Sequence, residues 1–233
     1  LGIEAWHEYG ARFGFGAPTH IDLDPSEFSG ILPDRQYHKE REGWVTGHLM
    51  NHVIGQGYML VTPLQMAVMT VAVANGGKVL QPRLVTRVHS RPAFGPAQNQ
   101  VIPVKVLDDL NLKPETVALM HKAMLADVAD RDGSGRAARV SGLAIGGKTG
   151  TAQKMVPTGK FHPRSGVRLF RTDHITWFVS FAPVESPRYV VVVMVESGES
   201  GASTCAPIAG RIYRAIHDLE RQRKKGGPRL AKR

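Results

Sequence analysis

Three consecutive runs of strand-forming residues, with no helical pattern between them, most constrain the fold of this 233-residue chain. They cover Val140 to Gln153, Ile175 to Ala182 and Tyr189 to Glu196, the last rich in β-branched valine. Parallel strands need a crossover helix between them, and these runs leave no room for one. Helical patterns precede the runs and one follows them. The sequence therefore predicts an α+β fold, with an antiparallel sheet flanked by helices.

The helical patterns have recognisable ends. A first helix is predicted over Ile3 to Phe13. A second helix is predicted to begin at Thr62-Pro63-Leu64-Gln65. The threonine caps the helix N-terminus, the proline takes the first helical position, and the glutamine side chain can hydrogen-bond to the threonine backbone. Asn75-Gly76-Gly77 is expected to end this helix. Further helices are predicted from Pro114 and Pro207. Their expected buried stripes are Val117, Met120, Met124 and Val128 on the former, and Ile208, Ile212, Ile216 and Leu219 on the latter.

Two stretches are expected to be irregular. The part from residue 14 to residue 50 is rich in glycine, proline and histidine. Residues 89–103 carry Pro92, Pro96 and Pro103, and this composition predicts a surface loop.

Composition excludes several classes of protein. A hydrophobic fraction of 42% excludes a wholly disordered chain, and a single cysteine, Cys205, excludes a disulfide framework. We expect Cys205 to be a small packed residue at a helix start. The longest apolar run, Tyr189 to Val195, is far too short to cross a membrane. The chain begins at Leu1 without a signal peptide, so it is expected to be a piece of a longer protein.

The net charge of +10 comes mostly from one end. Between Arg221 and Arg233 there are seven basic residues and no acidic ones, and the remainder has 23 basic against 20 acidic residues. We therefore predict a folded part over residues 1–220 and a basic, disordered tail over residues 221–233. Contact of the tail with anionic lipid or nucleic acid is the alternative. We expect no nucleic-acid partner for the folded part.

One segment matches the phosphate-binding loop pattern. Gly142 to Thr149 has the form G-x-x-x-x-G-K-[ST], so a nucleotide-binding protein is one alternative. Such a loop must lead into a helix, whose first amides hold the phosphates. Here Gly150, Pro157 and Gly159 follow, and they disfavour a helix after Lys148.

The end of the same segment favours a different kind of binding site if it forms a strand. Alternation along Lys148-Thr149-Gly150-Thr151 places both threonine hydroxyls on one face. Gly150 removes a side chain where a ligand would approach closely, and Lys148 adds a positive charge. This combination predicts a cradle for an anionic, peptide-like ligand along a sheet edge.

Several segments together resemble a known family. Gly55-Gln56-Gly57, Thr62 to Gln65 and Gly146 to Gln153 resemble the transpeptidase domain of class B penicillin-binding proteins, most closely the penicillin-binding protein 2 type of the cell-elongation machinery. Tyr9 to Leu23 and Glu196-Ser197-Gly198 fit the same family. The resemblance covers about residues 1–220. It implies the penicillin-binding-protein and β-lactamase-like transpeptidase fold, incomplete at its N-terminus.

The resemblance also implies an activity and a site. It suggests a serine-type peptidoglycan DD-transpeptidase, with Lys148 and Thr151 as catalytic residues and with Lys148, Thr149, Gly150 and Thr151 as substrate-binding residues. The implied ligands are stem peptides ending in D-Ala-D-Ala and β-lactams, and no cofactor or metal is expected. The implied partners are a membrane glycosyltransferase and elongation-complex proteins. The implied location is the periplasmic side of the bacterial inner membrane, with an anchor upstream of this chain.

The chain departs from the family in one large respect. No serine is followed three residues later by lysine, and no S-x-N sequence occurs, although the family carries both motifs before the Gly-Gln-Gly segment. We expect both to precede Leu1, so the chain alone is predicted to be inactive. A catalytically silent module of the same fold remains the alternative.

Two histidines, His48 and His52, are four residues apart. The sequence between them lacks the glutamate of a zinc-protease helix, and nearby glycines disfavour a helix, so we expect no metal there.

Overall fold

The computed structural model describes residues 2–23, 27–90 and 98–224, and the chain divides into two units, residues 1–117 and 118–233. The first unit contains α1 (Ile3–Arg12), α2 (Arg35–Lys39), α3 (Thr46–Val53), α4 (Pro63–Asn75), β1 (Lys78–Leu80), β2 (Arg87–Ser90), β3 (Gln98–Val101) and β4 (Val106–Asp109). The boundary between the units falls within α5 (Pro114–Ala129). The second unit continues with a 3₁₀ turn (Arg136–Ala138), β5 (Gly146–Phe161), β6 (Arg168–Ala182), β7 (Tyr189–Glu196), a π-helical turn (Gly201–Cys205) and α6 (Ala206–Lys224).

The second unit is built on a three-stranded sheet. Its order is β5-β6-β7, and both pairs are antiparallel. Strand β6 is central, and its residues Phe178 and Phe181 are completely buried. The predicted antiparallel sheet of three consecutive strands is therefore confirmed, and β5 is an edge strand of this sheet.

The bounds of the first two strands differ from the predicted ones. Strand β5 begins at Gly146 and not at Val140, and it continues through Pro157 to Phe161. Strand β6 begins at Arg168, seven residues before the expected start. The extra residues form an exposed hairpin extension. Its sequence does not alternate between apolar and polar residues, so the pattern did not predict these parts of the strands. Proline is tolerated here because β5 is an edge strand, and the pairing register shifts between Pro157 and Phe161.

Helix α6 packs only partly through the predicted stripe, of which Ile208 and Ile216 contact the buried core. Ile212 and Leu219 belong to the expected apolar stripe, yet they are 40% and 50% exposed. The buried residues of α6 are Ala206, Ala209, Gly210 and Tyr213. Small residues let the helix approach the 3₁₀ turn closely, because a Cβ at Gly210 would lie 2.9 Å from the Ala137 carbonyl oxygen. The large aliphatic residues therefore indicated only part of the packed face, and the small residues that are fully buried were missed.

Helix α4 begins and ends as predicted. Thr62 Oγ1 accepts from the Gln65 amide at 3.1 Å, Gln65 Oε1 accepts from the Thr62 amide at 2.9 Å, and Gly76 ends the helix with φ +90°. Gln65 is also buried, and its Nε2 donates to the carbonyl oxygens of Ala17 and Ser29 at 2.8 Å each. The capping side chain thus also fixes the irregular segment before α2.

Both segments predicted to be irregular contain regular structure. The short helices α2 and α3 lie within residues 14–50, and β2 and β3 form an antiparallel hairpin within residues 87–101. Pro92 and Pro96 lie between those two strands, outside the described residues. Pro103 follows β3, so none of these three prolines interrupts a described strand.

Three further expectations concern the helices. The predicted stripe of α5 lies on its less exposed side, with Val128 fully buried. Helix α6 extends through Lys224, so residues 221–224 of the expected tail are helical, and residues 225–233 lie outside the described part. None of the described helices is both long and apolar enough to cross a membrane.

Candidate active site

The Lys148-Thr149-Gly150-Thr151 segment lies on the edge strand β5. Its pairing with β6 is unbroken from Gly146 to Pro157, so strand alternation holds throughout this part. The side chains of Thr149 and Thr151 therefore emerge on the same face of the sheet. The predicted arrangement of two hydroxyl groups on one side of an edge strand follows from this register.

The phosphate-loop alternative is wrong. Residues 146–161 form strand β5, and no helix begins at Lys148. Gly147 of the loop pattern and its neighbour Gly146 have a packing role instead. A Cβ at Gly147 would lie 2.4 Å from Phe178 Cζ, and one at Gly146 would lie 3.0 Å from Phe181 Cζ. The buried aromatic rings of β6 occupy the space that side chains on β5 would need.

Thr149 belongs to a short chain of hydrogen bonds. Its Oγ1 lies 2.6 Å from Ser134 Oγ, which donates to Asp127 Oδ1, also at 2.6 Å. A hydroxyl can donate only one hydrogen bond, and the Ser134 hydroxyl donates to Asp127. Thr149 Oγ1 is therefore the donor in its hydrogen bond with Ser134 Oγ. Sequence reasoning missed Ser134 and Asp127. The turn after α5 predicts a helix end, but it does not reveal which strand residue the Ser134 hydroxyl contacts.

Thr151 is held by the turn that precedes α6. Its Oγ1 accepts from the Gly201 amide at 3.2 Å. Gly201 also approaches the backbone of Gly150, since a Cβ on Gly201 would lie 2.7 Å from the Gly150 carbonyl oxygen. Gly150 itself is less constrained, because a Cβ there would meet Trp177 Cβ at 3.4 Å, an ordinary contact. Packing within the protein therefore does not by itself require glycine at residue 150.

Lys148 borders an open cavity. Its side chain is exposed, and its Nζ donates to the Thr149 carbonyl oxygen at 2.8 Å. The cavity has a volume of about 540 Å³, and its lining includes Asp127, Asp130 and Asp132 from the end of α5 and the turn after it. Asp127 Oδ2 is buried and has no hydrogen-bond partner among the described residues. The site thus combines one ammonium group, two threonine hydroxyls and a nearby group of carboxylates.

His52 and Cys205, two further residues considered from the sequence, are packing residues. His48 and His52 do share a helix, α3, and burial lowers the pKa of His52. The His52 ring stacks on Trp6 with the ring centres 4.9 Å apart. Cys205 is fully buried next to the start of α6, and its Sγ lies 3.2 Å from Thr176 Oγ1. The predicted packed position of Cys205 is confirmed.

Curated relatives of this chain include peptidoglycan D,D-transpeptidases. Residues 1–216 match the family described as the penicillin-binding protein transpeptidase domain. The chain is 33% identical over 206 residues to the peptidoglycan D,D-transpeptidase MrdA of Acinetobacter baumannii, with 87% of this chain and 30% of the relative covered. It is 35% identical over 225 residues to stage V sporulation protein D of Bacillus subtilis, covering 92% of this chain and 30% of that protein. The chain spans about a third of the length of the curated relatives it matches.

Solved structures agree with the sequence comparison. Penicillin-binding protein 2 of Pseudomonas aeruginosa, in complex with WCK 5153, superposes with a TM-score of 0.70 at 30% identity, covering 93% of this chain and 44% of that one. The complex between penicillin-binding protein 2 and MreC from Helicobacter pylori gives a TM-score of 0.70 at 26% identity, covering 94% of this chain and 36% of that one. The chain therefore belongs to the penicillin-binding protein transpeptidase family, and its relatives are class B members, among them penicillin-binding protein 2.

Proposed function

We propose that this chain supplies the substrate-carboxylate strand of a peptidoglycan DD-transpeptidase that crosslinks cell-wall stem peptides and binds penicillin. The observation that carries the proposal is the edge strand β5, with Lys148 and two threonines in unbroken register. An edge strand can pair with an extended peptide, and the charge and hydroxyl groups beside it can select a peptide that ends in a carboxylate. Membership of the transpeptidase family supports the same assignment.

The proposed reaction is acyl transfer through a serine ester. The serine oxygen attacks the carbonyl carbon between the two terminal D-alanines, the last D-alanine leaves with a proton, and the amine of a second peptide then takes the acyl group from the serine. Lys148 keeps positive charge beside the departing carboxylate. The Thr151 amide is assigned as one donor to the oxyanion, and losing such a donor typically lowers the rate by about 10²–10³-fold.

The two threonines are unequal candidates for the carboxylate contact. The Thr149 hydroxyl donates a hydrogen bond to Ser134, and this hydrogen bond must break before Thr149 can donate to a ligand. Thr151 is exposed, whereas Thr149 is only partly exposed, and the Thr151 hydroxyl accepts a hydrogen bond from the Gly201 amide at 3.2 Å. We therefore assign the direct carboxylate contact to Thr151 and assign to Thr149 the positioning of the strand through Ser134.

Separate substitution of the two threonines tests this assignment. The protein used joins this chain to a segment that carries the nucleophilic serine, and acylation is measured with a penicillin and with a matched ligand that lacks the carboxylate. Thr151→Val should slow acylation by the penicillin about 10- to 150-fold, the value of one hydrogen bond to a charged group, and should change the other rate little. Thr149→Val should slow both acylations by similar factors.

A third threonine on the same strand provides the control. Thr158 lies in the exposed extension of β5, where its Oγ1 donates to the Leu169 carbonyl oxygen at 3.0 Å. Thr158→Val makes the same chemical change and should leave both acylation rates unchanged. Equal losses on both ligands for Thr151→Val would mean that this threonine only holds the strand in place, and the carboxylate assignment would then be wrong.

The proposed setting follows the family. The substrates are stem peptides ending in D-Ala-D-Ala, β-lactams are the inhibitors, and the site faces the periplasm from the bacterial inner membrane. An MreC-like elongation protein is a proposed partner because such a complex exists for the Helicobacter pylori relative. A membrane glycosyltransferase is a further proposed partner, on the family resemblance alone.

A further inference from the structure

A cluster of metal-ligand side chains lies where α2 and α3 meet. We call it the histidine cluster, and it consists of His38, Glu42 and His48, with His52 behind His38. His38 is fully buried, His48 is partly buried and Glu42 is exposed. One nitrogen or carboxylate oxygen from each of His38, Glu42 and His48 lies within 4.8 Å of the others. All four residues belong to the first unit and are absent from the proposed transpeptidase site.

The separations between these atoms suit a small metal ion. His48 Nε2 lies 3.1 Å from Glu42 Oε1, and His38 Nδ1 lies 3.6 Å from the same oxygen. Ligand atoms bound tetrahedrally to zinc at about 2.0–2.1 Å lie roughly 3.3 Å from one another. The two measured distances bracket that value.

The hydrogen bonds behind the cluster decide which atom of His38 faces it. His52 Nδ1 lies 3.3 Å from the Gln56 carbonyl oxygen, which can only accept, so His52 Nδ1 carries the proton. In neutral His52, Nε2 is then an acceptor. It accepts a hydrogen bond from His38 Nε2, and the two nitrogens are 2.9 Å apart. The Nδ1 of neutral His38 is therefore left with a lone pair directed at Glu42.

This lone pair has no hydrogen-bond partner among the residues that the structure describes. His38 is 0% exposed, and its Nδ1 is buried without a hydrogen bond among the described residues. It faces the Glu42 carboxylate, and both groups are acceptors in this tautomer. A buried acceptor without a donor costs free energy, and two acceptors face to face add repulsion. A cation between the two groups removes both penalties.

The ligand atoms are also held from behind, as metal ligands usually are. The Tyr58 hydroxyl donates to Glu42 Oε2 at 3.2 Å, while Oε1 faces the histidines. His52 fixes the tautomer of His38. The rings of Tyr37, Trp44 and Tyr58 all lie within 6 Å of the His38 ring, measured between ring centres, and make its surroundings apolar.

We propose that the histidine cluster binds one divalent transition-metal ion of the zinc type, through His38 Nδ1, Glu42 Oε1 and His48 Nε2, with a water molecule as fourth ligand. Two imidazoles and one carboxylate favour zinc, cobalt or nickel over calcium and magnesium, which prefer oxygen ligands. The bound ion would join α2 to α3. This inference is independent of the proposed transpeptidase role.

His48 is the ligand that must adjust. Its ring is stacked on that of His38, with the ring centres 4.1 Å apart and the planes 9° from parallel. Its Nδ1 accepts from the Val45 amide at 3.3 Å, so binding through Nε2 requires the other neutral tautomer and the loss of this long bond. The His48 side chain is 16% exposed and can tilt, whereas His38 is enclosed.

Zinc titration of the purified, untagged protein after chelator treatment tests the proposal. We expect calorimetry to give one Zn²⁺ per chain and thermal unfolding to shift to higher temperature when zinc is added. Glu42→Gln and His48→Gln should each weaken zinc binding by more than about tenfold. Neither side chain is fully buried, so both variants should keep the wild-type circular dichroism spectrum, which separates loss of a ligand from loss of the fold.

Matched controls carry the same substitutions elsewhere in the first unit. Glu40→Gln removes an exposed carboxylate next to α2, and His89→Gln removes an exposed imidazole from β2. Both should bind zinc as the wild type does, and Co²⁺ in place of Zn²⁺ should give a visible absorption band that Glu42→Gln abolishes. The proposal is wrong if zinc does not bind at one site per chain, or if Glu42→Gln and His48→Gln bind it as tightly as the controls.

Discussion

Asp173, in β6, shows how two hydrogen bonds control a single carboxylate. Ser197 Oγ donates to its Oδ2 at 2.7 Å, and the His174 amide donates to its Oδ1 at 2.9 Å. Both bonds favour the ionised form, and they hold the pKa of Asp173 below its usual value of 3.8. A lowered pKa means that the folded state binds the proton less tightly than the unfolded state. The carboxylate therefore adds stability above about pH 3.8, and this contribution is lost as the pH falls through the lowered pKa.

Replacing the serine should raise this pKa. Ser197→Ala removes the largest cause of the shift, so the pKa of Asp173 should return towards its usual value, and less stability should be lost on acidification. A carbon-13 NMR titration of the Asp173 carboxyl group measures the change. Ser186→Ala, in the turn at the opposite end of β6, should leave the titration unchanged. An unchanged pKa in Ser197→Ala would assign the shift to the backbone and to neighbouring charges.

Individual site residues were predictable to different degrees. The shared face of Thr149 and Thr151 follows from a local pattern, because spacing on a strand decides which side chains share a face, while their roles and that of Lys148 stay predictions. Ser134 and Asp127 were missed because their contact with Thr149 joins parts of the chain that only folding brings together. The histidine cluster was missed for the same reason. His48 and His52 both lie on α3, whereas His38 and Glu42 lie outside α3 and only folding brings them close to His48.

At the scale of elements, two glycines of β5 should respond differently to the same change. Gly147→Ala would place a methyl group 2.4 Å from the buried Phe178 ring, so the free energy of unfolding should fall by about 1–3 kcal/mol. Gly150→Ala meets only an ordinary contact with Trp177, so its stability should stay near that of the wild type. Urea unfolding of both variants measures the difference.

Acylation by penicillin separates the two glycines further. If a ligand backbone lies against Gly150, the added methyl group displaces it, and a displacement of 1 Å can lower the rate by about 100-fold. In the chain joined to the serine-bearing segment, the Gly150→Ala variant should therefore be acylated slowly while remaining stable. A stable Gly150→Ala variant with the wild-type acylation rate would mean that the ligand does not approach this residue.

The sequence predicted elements well where local chemistry decides them. The capping residues and terminal glycines of α4 gave its bounds, and the valine-rich run of β7 gave both of its ends correctly. The prediction of the α6 face was correct for Ile208 and Ile216 only, because much of the burial there depends on close approach to the 3₁₀ turn through Gly210. The extension of the β5–β6 hairpin was also missed, because an exposed pair of strands has no apolar alternation.

At the scale of the whole molecule, we expect penicillin to acylate this chain only when another segment supplies the serine. No serine here is followed three residues later by lysine, so no hydroxyl has the activating base that the family uses. The 233-residue chain, expressed alone and shown to be folded by circular dichroism, should form no adduct with a labelled penicillin. Intact-mass spectrometry makes the measurement, and the same chain joined to the serine-bearing segment is the control. A stable acyl adduct on any serine of the chain alone would contradict the expectation.

The position of β5 at the edge of its sheet also bears on self-association. A long edge strand can pair with the same strand of another molecule, which leads to aggregation. This strand carries Lys148 and Lys160, besides Lys154, which forms an ion pair with Glu196, and Pro157 interrupts its row of amide donors. Two copies brought edge to edge would oppose ammonium groups, whereas a short peptide with a free carboxylate would be attracted to them. The same charges can thus admit an anionic peptide and keep a second copy of the protein away.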